Sequence, residues 1–196
     1  MSPPPENPLT AAQIRAAEFS AEERTVLLRL AHAAIESALE DRDISFDPPS
    51  PHLAEPRGAF TTVYVRGQLR GCVGYVFPVA SLYRTVAETA RAAAFDDTRF
   101  SPLTAVELPG LQVSLSILSP LQPIAPAEIE IGKHGLLASQ QGRRGLLLPQ
   151  VPVEHSWDRE TFLEQTCRKA GLSSDAWRQG AIIEAFTAEV FGDEHY

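Results

Sequence analysis

Several residue types are nearly missing from this sequence, and it has no long apolar run. Its 196 residues include two cysteines, one methionine and two tryptophans. Lys133 and Lys169 are the only lysines among 17 basic residues, so arginine supplies the rest. Two thiols, Cys72 and Cys167, are too few for a disulfide framework and stay free in a reducing compartment. No CxxC, HxxxH or HExxH spacing occurs, so no metal site is expected. No stretch of about 18 apolar residues exists, which excludes a transmembrane helix. The opening MSPPPENPLT lacks the charged-then-apolar order of a secretion signal, and a cytoplasmic location is expected. Positive charge is in deficit, with a formal net charge of -8. That balance argues against general affinity for nucleic acid or an anionic membrane.

What is present suits one compact domain, since 44% of the residues are hydrophobic. Residues 1–17 are proline-rich and expected to be disordered, with a single domain over 18–193. SAEERTVLLRLAHAAIESALED predicts a helix with Ser20 as its cap and Glu23 completing a capping box. Leu27, Leu30, Ala31, Ala34, Ile35 and Ala38 form its apolar stripe, and His32 falls off that stripe as a solvated residue. AFTTVYVRGQLRGCVGYVF predicts a hairpin around Arg66-Gly67-Gln68, and SLYRTVAETARAAAF a helix capped by Ser81. In LQVSLSIL, Leu111, Val113, Leu115 and Ile117 alternate with Gln112, Ser114 and Ser116, the pattern of a half-buried strand.

The order then repeats. HGLLASQQGRRGLLLPQV predicts a second hairpin turning at Gln141-Gly142, and DRETFLEQTCRKAGL a helix capped by Asp158. Arg70-Gly71 recurs as Arg144-Gly145, 74 positions on (144 minus 70). By the same offset Ala181 to Phe191 is read as one strand. The chain therefore reads as two hairpin–helix–strand units, at about 57–118 and 132–192. A unit of that size cannot bury its sheet face alone, so the two are expected to share a core.

GAFTTVYVRGQLRGCVGYVFP, AAAFDDTRFSPLTAVELPGLQVSLSILSP, GRRGLLLPQV, WDRETFLEQTCRKAGL and AWRQGAIIEAFTAEVF together resemble the AMMECR1 family, colinearly from about Glu18 to Phe191. LRGCVG fits that family's hexapeptide at every position. The resemblance implies an α+β fold: a duplicated hairpin–helix–strand unit forming a curved, barrel-like mixed or antiparallel sheet flanked by helices. It also implies a gene neighbourhood with a Memo-like protein and a radical S-adenosylmethionine (radical SAM) enzyme, which are candidate partners. It settles neither a reaction nor a cofactor.

The chemistry centres on LRGCVG. In a regular strand Arg70, Cys72 and Gly74 share a face, with Arg70 and Cys72 roughly 6.5–7 Å apart at their α-carbons. A guanidinium beside a thiol favours the thiolate. Cys72 is thus the candidate nucleophile, and Arg70, Gly71 and Gly74 are candidate ligand-binding positions. A second reading makes Cys72 a small buried hydrophobe, Arg70 an ion-pair partner and the glycines points of tight curvature. A nucleophile needs a base, and none adjoins it in sequence. Glu154 and His155, in PQVPVEHSWD, are the weaker acid/base candidates, set against a plain surface loop anchored by Trp157. Asp97 and Arg99 in FDDTRF read as a structural ion pair. Two functions follow: a small-molecule or enzymatic cleft at LRGCVG, or a non-catalytic module for the Memo-like and radical SAM partners.

Overall fold

The computed structural model describes residues 17–193. The disorder expected of residues 1–17 lies, residue 17 aside, outside the described residues. Helix α1 spans Ala21–Leu39. The Ser20 hydroxyl accepts from the Glu23 N–H at 3.2 Å, and the Glu23 carboxylate accepts from the Ser20 N–H at 2.9 Å. Two otherwise orphaned donors are satisfied reciprocally. The predicted stripe is buried at Leu27, Leu30, Ala31, Ala34 and Ile35. His32 is not simply solvated: its ring lies 2.7 Å from the Asp193 carboxylate, 161 residues away in the chain.

Strands β1 (Ala59–Val65) and β2 (Gln68–Tyr75) form the first hairpin. Arg66 and Gly67 at its turn both have positive φ, 50° and 75°. Such a two-residue turn matches the right-handed twist of the strands. Helix α2 (Leu82–Phe95) and strand β3 (Leu111–Leu118) complete the unit. After the two-residue strand β4 (Gln122–Pro123) comes the second hairpin, β5 (Gly135–Gln140) and β6 (Arg143–Leu147). Gln141 and Gly142 at its turn have φ of 50° and 78°, the same geometry as the first. Then follow α3 (Gln150–Glu154), α4 (Arg159–Lys169), β7 (Ile182–Phe186) and β8 (Ala188–Gly192).

Among the described residues the sheet does not close into a barrel. They form two four-stranded antiparallel sheets, ordered β2-β1-β3-β8 and β4-β7-β5-β6. The segment read as one strand, Ala181 to Phe191, is two strands in different sheets. The exchange is reciprocal: after β3 the chain crosses to add β4 beside β7, and after β7 it crosses back to add β8 beside β3. Where the crossings meet, the Ser119 N–H donates to the Thr187 carbonyl at 2.8 Å. The Thr187 N–H donates to the Ser119 hydroxyl at 2.9 Å.

Each sheet carries helices on one face. Leu27, Ile35, Val63, Leu82, Leu115 and Ile117 belong to the core beneath α1 and α2. Leu136, Ala138, Phe162, Leu163 and Ile183 belong to a second core beneath α4. The expectation of one shared core is corrected to two, because each helix layer covers its own sheet. Burying a Leu or Phe fully, as at Leu27 and Phe162, stabilises by about 1.5–3 kcal/mol. The recurring Arg-Gly has a steric origin. A Cβ on Gly71 would lie 1.9 Å from the Ala93 carbonyl oxygen, and one on Gly145 would lie 2.2 Å from the Ala170 nitrogen. In both units the hairpin backbone touches the end of the following helix.

Candidate functional site

β2 is an edge strand, and its pairing is irregular at the motif. Val63 opposes Gly71 and Tyr64 opposes Leu69, so Arg70 has no opposite number and forms a bulge. A bulge re-aims the side chain that it carries. The simple alternation that places Arg70 and Cys72 on one face is interrupted there. The Arg70 guanidinium pairs with the Glu107 carboxylate and donates to the Ser101 carbonyl at 3.1 Å. Gly74 does not open space for a ligand. A Cβ there would lie 2.2 Å from the Phe60 ring, which fills the position.

Cys72 is half-buried, and its sulfur accepts from the Thr62 hydroxyl at 3.3 Å. Its backbone is held by FDDTRF. The Cys72 N–H donates to the Asp97 carboxylate at 2.9 Å, and Arg99 reaches the Cys72 carbonyl at 3.4 Å. Arg99 also grips Asp97 through two side-chain contacts, at 2.9 and 2.7 Å. The Arg99 guanidinium first, and the Cys72 N–H second, hold the Asp97 carboxyl well below the usual carboxylate range. In return the Asp97 carboxylate pushes Arg99 upward. This pair satisfies backbone groups that an edge strand leaves open. Cys167 is sealed in the second core, and burial pushes its thiol up.

The large concavity lies between the sheets. It has a volume of about 1570 Å³. The helix-free face of the first sheet supplies Thr62, Tyr64, Ser114 and Ser116. These hydroxyls follow from the alternation in TTVYV and LQVSLSIL: Thr61, whose hydroxyl meets Thr89 of α2, and the apolar residues face the helices, while Thr62, Tyr64, Ser114 and Ser116 face the cleft. Opposite stand Glu130, Lys133 and His134 of a connecting loop, and Gln150, Val153 and Glu154 of α3. Lys133 pairs with Glu130, whose N–H donates to the His134 ring at 3.1 Å. Ile131, Val153 and Val190 are exposed large hydrophobics on its lining.

Glu154 therefore reaches the cleft, together with Thr62, the hydrogen-bond partner of Cys72. His155 turns instead to Trp157 and stacks on it at 4.7 Å between ring centroids. Cys72 touches the cleft wall through Thr62. The segment around Glu154, expected as a loop, is a short helix. No local signal in the sequence marks Glu130, Lys133 or Tyr64, since nothing nearby predicts that the loop and the first sheet face each other. The same holds for Arg57, a buried guanidinium paired with Glu18 and Glu55 near the crossing. Among the described residues, no group of three or more His, Cys, Asp or Glu could hold a metal ion. No helix among them is long and apolar enough to cross a membrane.

A model of the AMMECR1 family matches residues 28–191. A protein of Thermofilum pendens is 39% identical over 194 residues, spanning 88% of this chain and 91% of its own length. Protein MK0488 of Methanopyrus kandleri is 41% identical over 189 residues, spanning 90% and 91%. The crystal structure of the uncharacterized protein PH0010 from Pyrococcus horikoshii superposes with a TM-score of 0.67 at 38% identity. That superposition covers 86% of this chain and 90% of the other. By extent and by identity, this chain belongs to the AMMECR1 family.

Proposed function

We propose that the protein is a binding module whose working surface is the inter-sheet cleft. On this reading LRGCVG braces β1, which supplies Thr62 and Tyr64 to the cleft's first wall. The observation that carries it is the set of contacts around the motif. Arg70 is engaged by Glu107 and Ser101, Gly71 by Ala93 and Gly74 by Phe60, while Cys72 bonds Thr62. The contacts described at Cys72 supply a hydroxyl and an ion pair on its backbone rather than a base. The cleft, at about 1570 Å³, exceeds the roughly 300–1,000 Å³ usual for small-molecule pockets. A segment of a macromolecular partner suits it better. The Memo-like protein and the radical SAM enzyme that the family resemblance implies are the first partners to test. Immobilised protein should retain one of them, and Ser116→Arg, which projects a long side chain into the cleft, should not. Retention of neither, or equal retention by the variant, refutes the reading.

Thiol chemistry at Cys72, with Glu154 or His155 as helper, is the second reading. It is favoured by Thr62, which lines the cleft and also bonds the sulfur. It requires that alkylation of native Cys72 run faster than that of a free cysteine at neutral pH, and an ordinary rate refutes it.

A further inference from the structure

The two edges of the first sheet are treated differently. On β2 the Arg70 bulge and the Asp97–Arg99 pair occupy the edge. The other edge, β8, reads Ala188-Glu189-Val190-Phe191-Gly192 and has neither proline nor lysine. Among the described residues no strand pairs with its outer side. Its hydrogen-bonding phase follows from its ends. The Ser119 N–H donates to the Thr187 carbonyl, and the Asp193 N–H donates to the Val113 carbonyl. Both pairs keep the β3–β8 register, in which Ile117 opposes Glu189 and Leu115 opposes Phe191. Antiparallel pairs alternate, so Glu189 and Phe191 bond inward to β3. Ala188, Val190 and Gly192 therefore direct their N–H and C=O groups outward. The side chains of Ala188 and Val190 lie on the face of Ser114 and Ser116 and line the cleft. Val190 is 66% exposed.

We infer that β8 is a docking edge for an extended, basic polypeptide segment of a partner, which adds to the sheet as a fifth strand within the cleft. The inference rests on the binding reading above and specifies its occupant. An unprotected edge offers main-chain hydrogen bonds to a strand from another chain. The five residues of β8 span roughly 17 Å, a length that an extended segment fills. Charge selects a basic one. Of the carboxylates that line the cleft, Glu189 pairs with Arg24, Glu130 with Lys133 and Glu18 with Arg57, which leaves Glu154 as the one with no cation beside it among the described residues, in a chain of net charge -8. Side chains of such a segment alternate between the two faces of the sheet, so cations placed on the face of Val190 would look into the cleft toward Glu154, with the apolar residues between them on the opposite face.

The test uses a fluorescein-labelled peptide of alternating valine and lysine, read by anisotropy on the full chain. It should bind saturably, more tightly than the same peptide with glutamate for lysine. Methylating the nitrogens of its edge-facing amides should weaken it about tenfold. Val190→Pro removes one outward N–H without touching the β3 ladder and should weaken binding by a similar factor. Amide exchange gives a readout independent of that variant's folding. On peptide addition the amides of Ala188, Val190 and Gly192 should slow, while those of Glu189 and Phe191, already bonded, should not. Absence of saturable binding overturns the inference, as does binding without that alternating protection. If the valine–lysine peptide binds but leaves β8 unprotected while Ser116→Arg blocks it, the docking edge fails and the cleft reading stands. If Ser116→Arg binds the peptide as well as the parent does, the cleft reading fails. A concentration-dependent dimer that Val190→Pro abolishes would assign the edge to a second copy and overturn the inference.

Discussion

Replacing Gly71 by alanine tests the central claim about the hexapeptide, that its glycine exists for a helix rather than for a ligand. The new Cβ would stand 1.9 Å from the Ala93 oxygen and 2.9 Å from the Ala93 carbonyl carbon. Comfortable heavy-atom separations are near 3.5 Å, so the shortfall is about 1.6 Å. The obstacle is main chain, so no rotamer change relieves it, and Ala93→Gly would not rescue it. Either β2 bends away from α2 or the last turn of α2 unwinds. Overpacking costs about 1–3 kcal/mol, and a backbone obstacle belongs at the top of that range. Alanine also restricts the unfolded chain, which offsets about 0.5 kcal/mol. The net loss is about 2.5 kcal/mol, or roughly 5–10 °C in melting temperature for a chain of this size. Gly74→Ala is the internal control. Its Cβ meets the Phe60 ring, which can turn aside, and the Ala59 carbonyl oxygen at 2.7 Å, a smaller backbone shortfall than at Gly71, so its loss should be nearer about 1.5 kcal/mol, toward the middle of the overpacking range. Urea unfolding followed by circular dichroism reads both. A Gly71→Ala protein within about 0.5 kcal/mol of the parent, or no less stable than Gly74→Ala, refutes the reasoning.

Three further outcomes are expected. An aromatic disulfide reagent should label one thiol of the native protein quickly and the second only on unfolding. Cys72→Ser should remove the fast phase, because Cys167 is sealed in the second core and its thiol is pushed up. Asp97→Asn should flatten the acid limb of stability. The carboxyl's folded pKa lies below its ordinary value of 3.8, so its contribution is complete above that value and drains as the pH falls from there through the folded one. An unchanged slope in acid unfolding would remove Asp97 from the edge-sealing role. Ser119→Ala deprives the Thr187 N–H of its acceptor at the crossing and should cost about 1 kcal/mol in urea unfolding. A silent Ser119→Ala would mean that water replaces the hydroxyl there.

Local features were legible in the sequence, and features set by distant partners were not. The Ser20–Glu23 capping box, the Arg66-Gly67 and Gln141-Gly142 turns and the alternation of LQVSLSIL depend on a few neighbouring residues, and all stand where expected. The duplication was readable because Gly71 and Gly145 solve the same packing problem. AIIEAFTAEVF, by contrast, gives no internal sign of changing sheets at Thr187, since either half of it makes a good strand. The bulge at Arg70 is defined by where Val63 and Tyr64 pair, so strand alternation alone misplaces the guanidinium. His32 was read as solvated because its partner, Asp193, lies at the far end of the chain. The cleft was hidden for the same reason: its hydroxyl wall is encoded in the first half and its charged wall in the second.

The exchange of strands at Ser119 and Thr187 governs how the cleft can change shape. Each layer is finished by a ribbon that belongs, by sequence, to the other, like two clasped hands. Pulling the layers straight apart would unzip β4 from β7 or β8 from β3. Pivoting about the clasp would leave those ladders intact. Any opening of the cleft that keeps both ladders would therefore be a rotation about that fixed point, with the separation at its root set by two short threads of backbone.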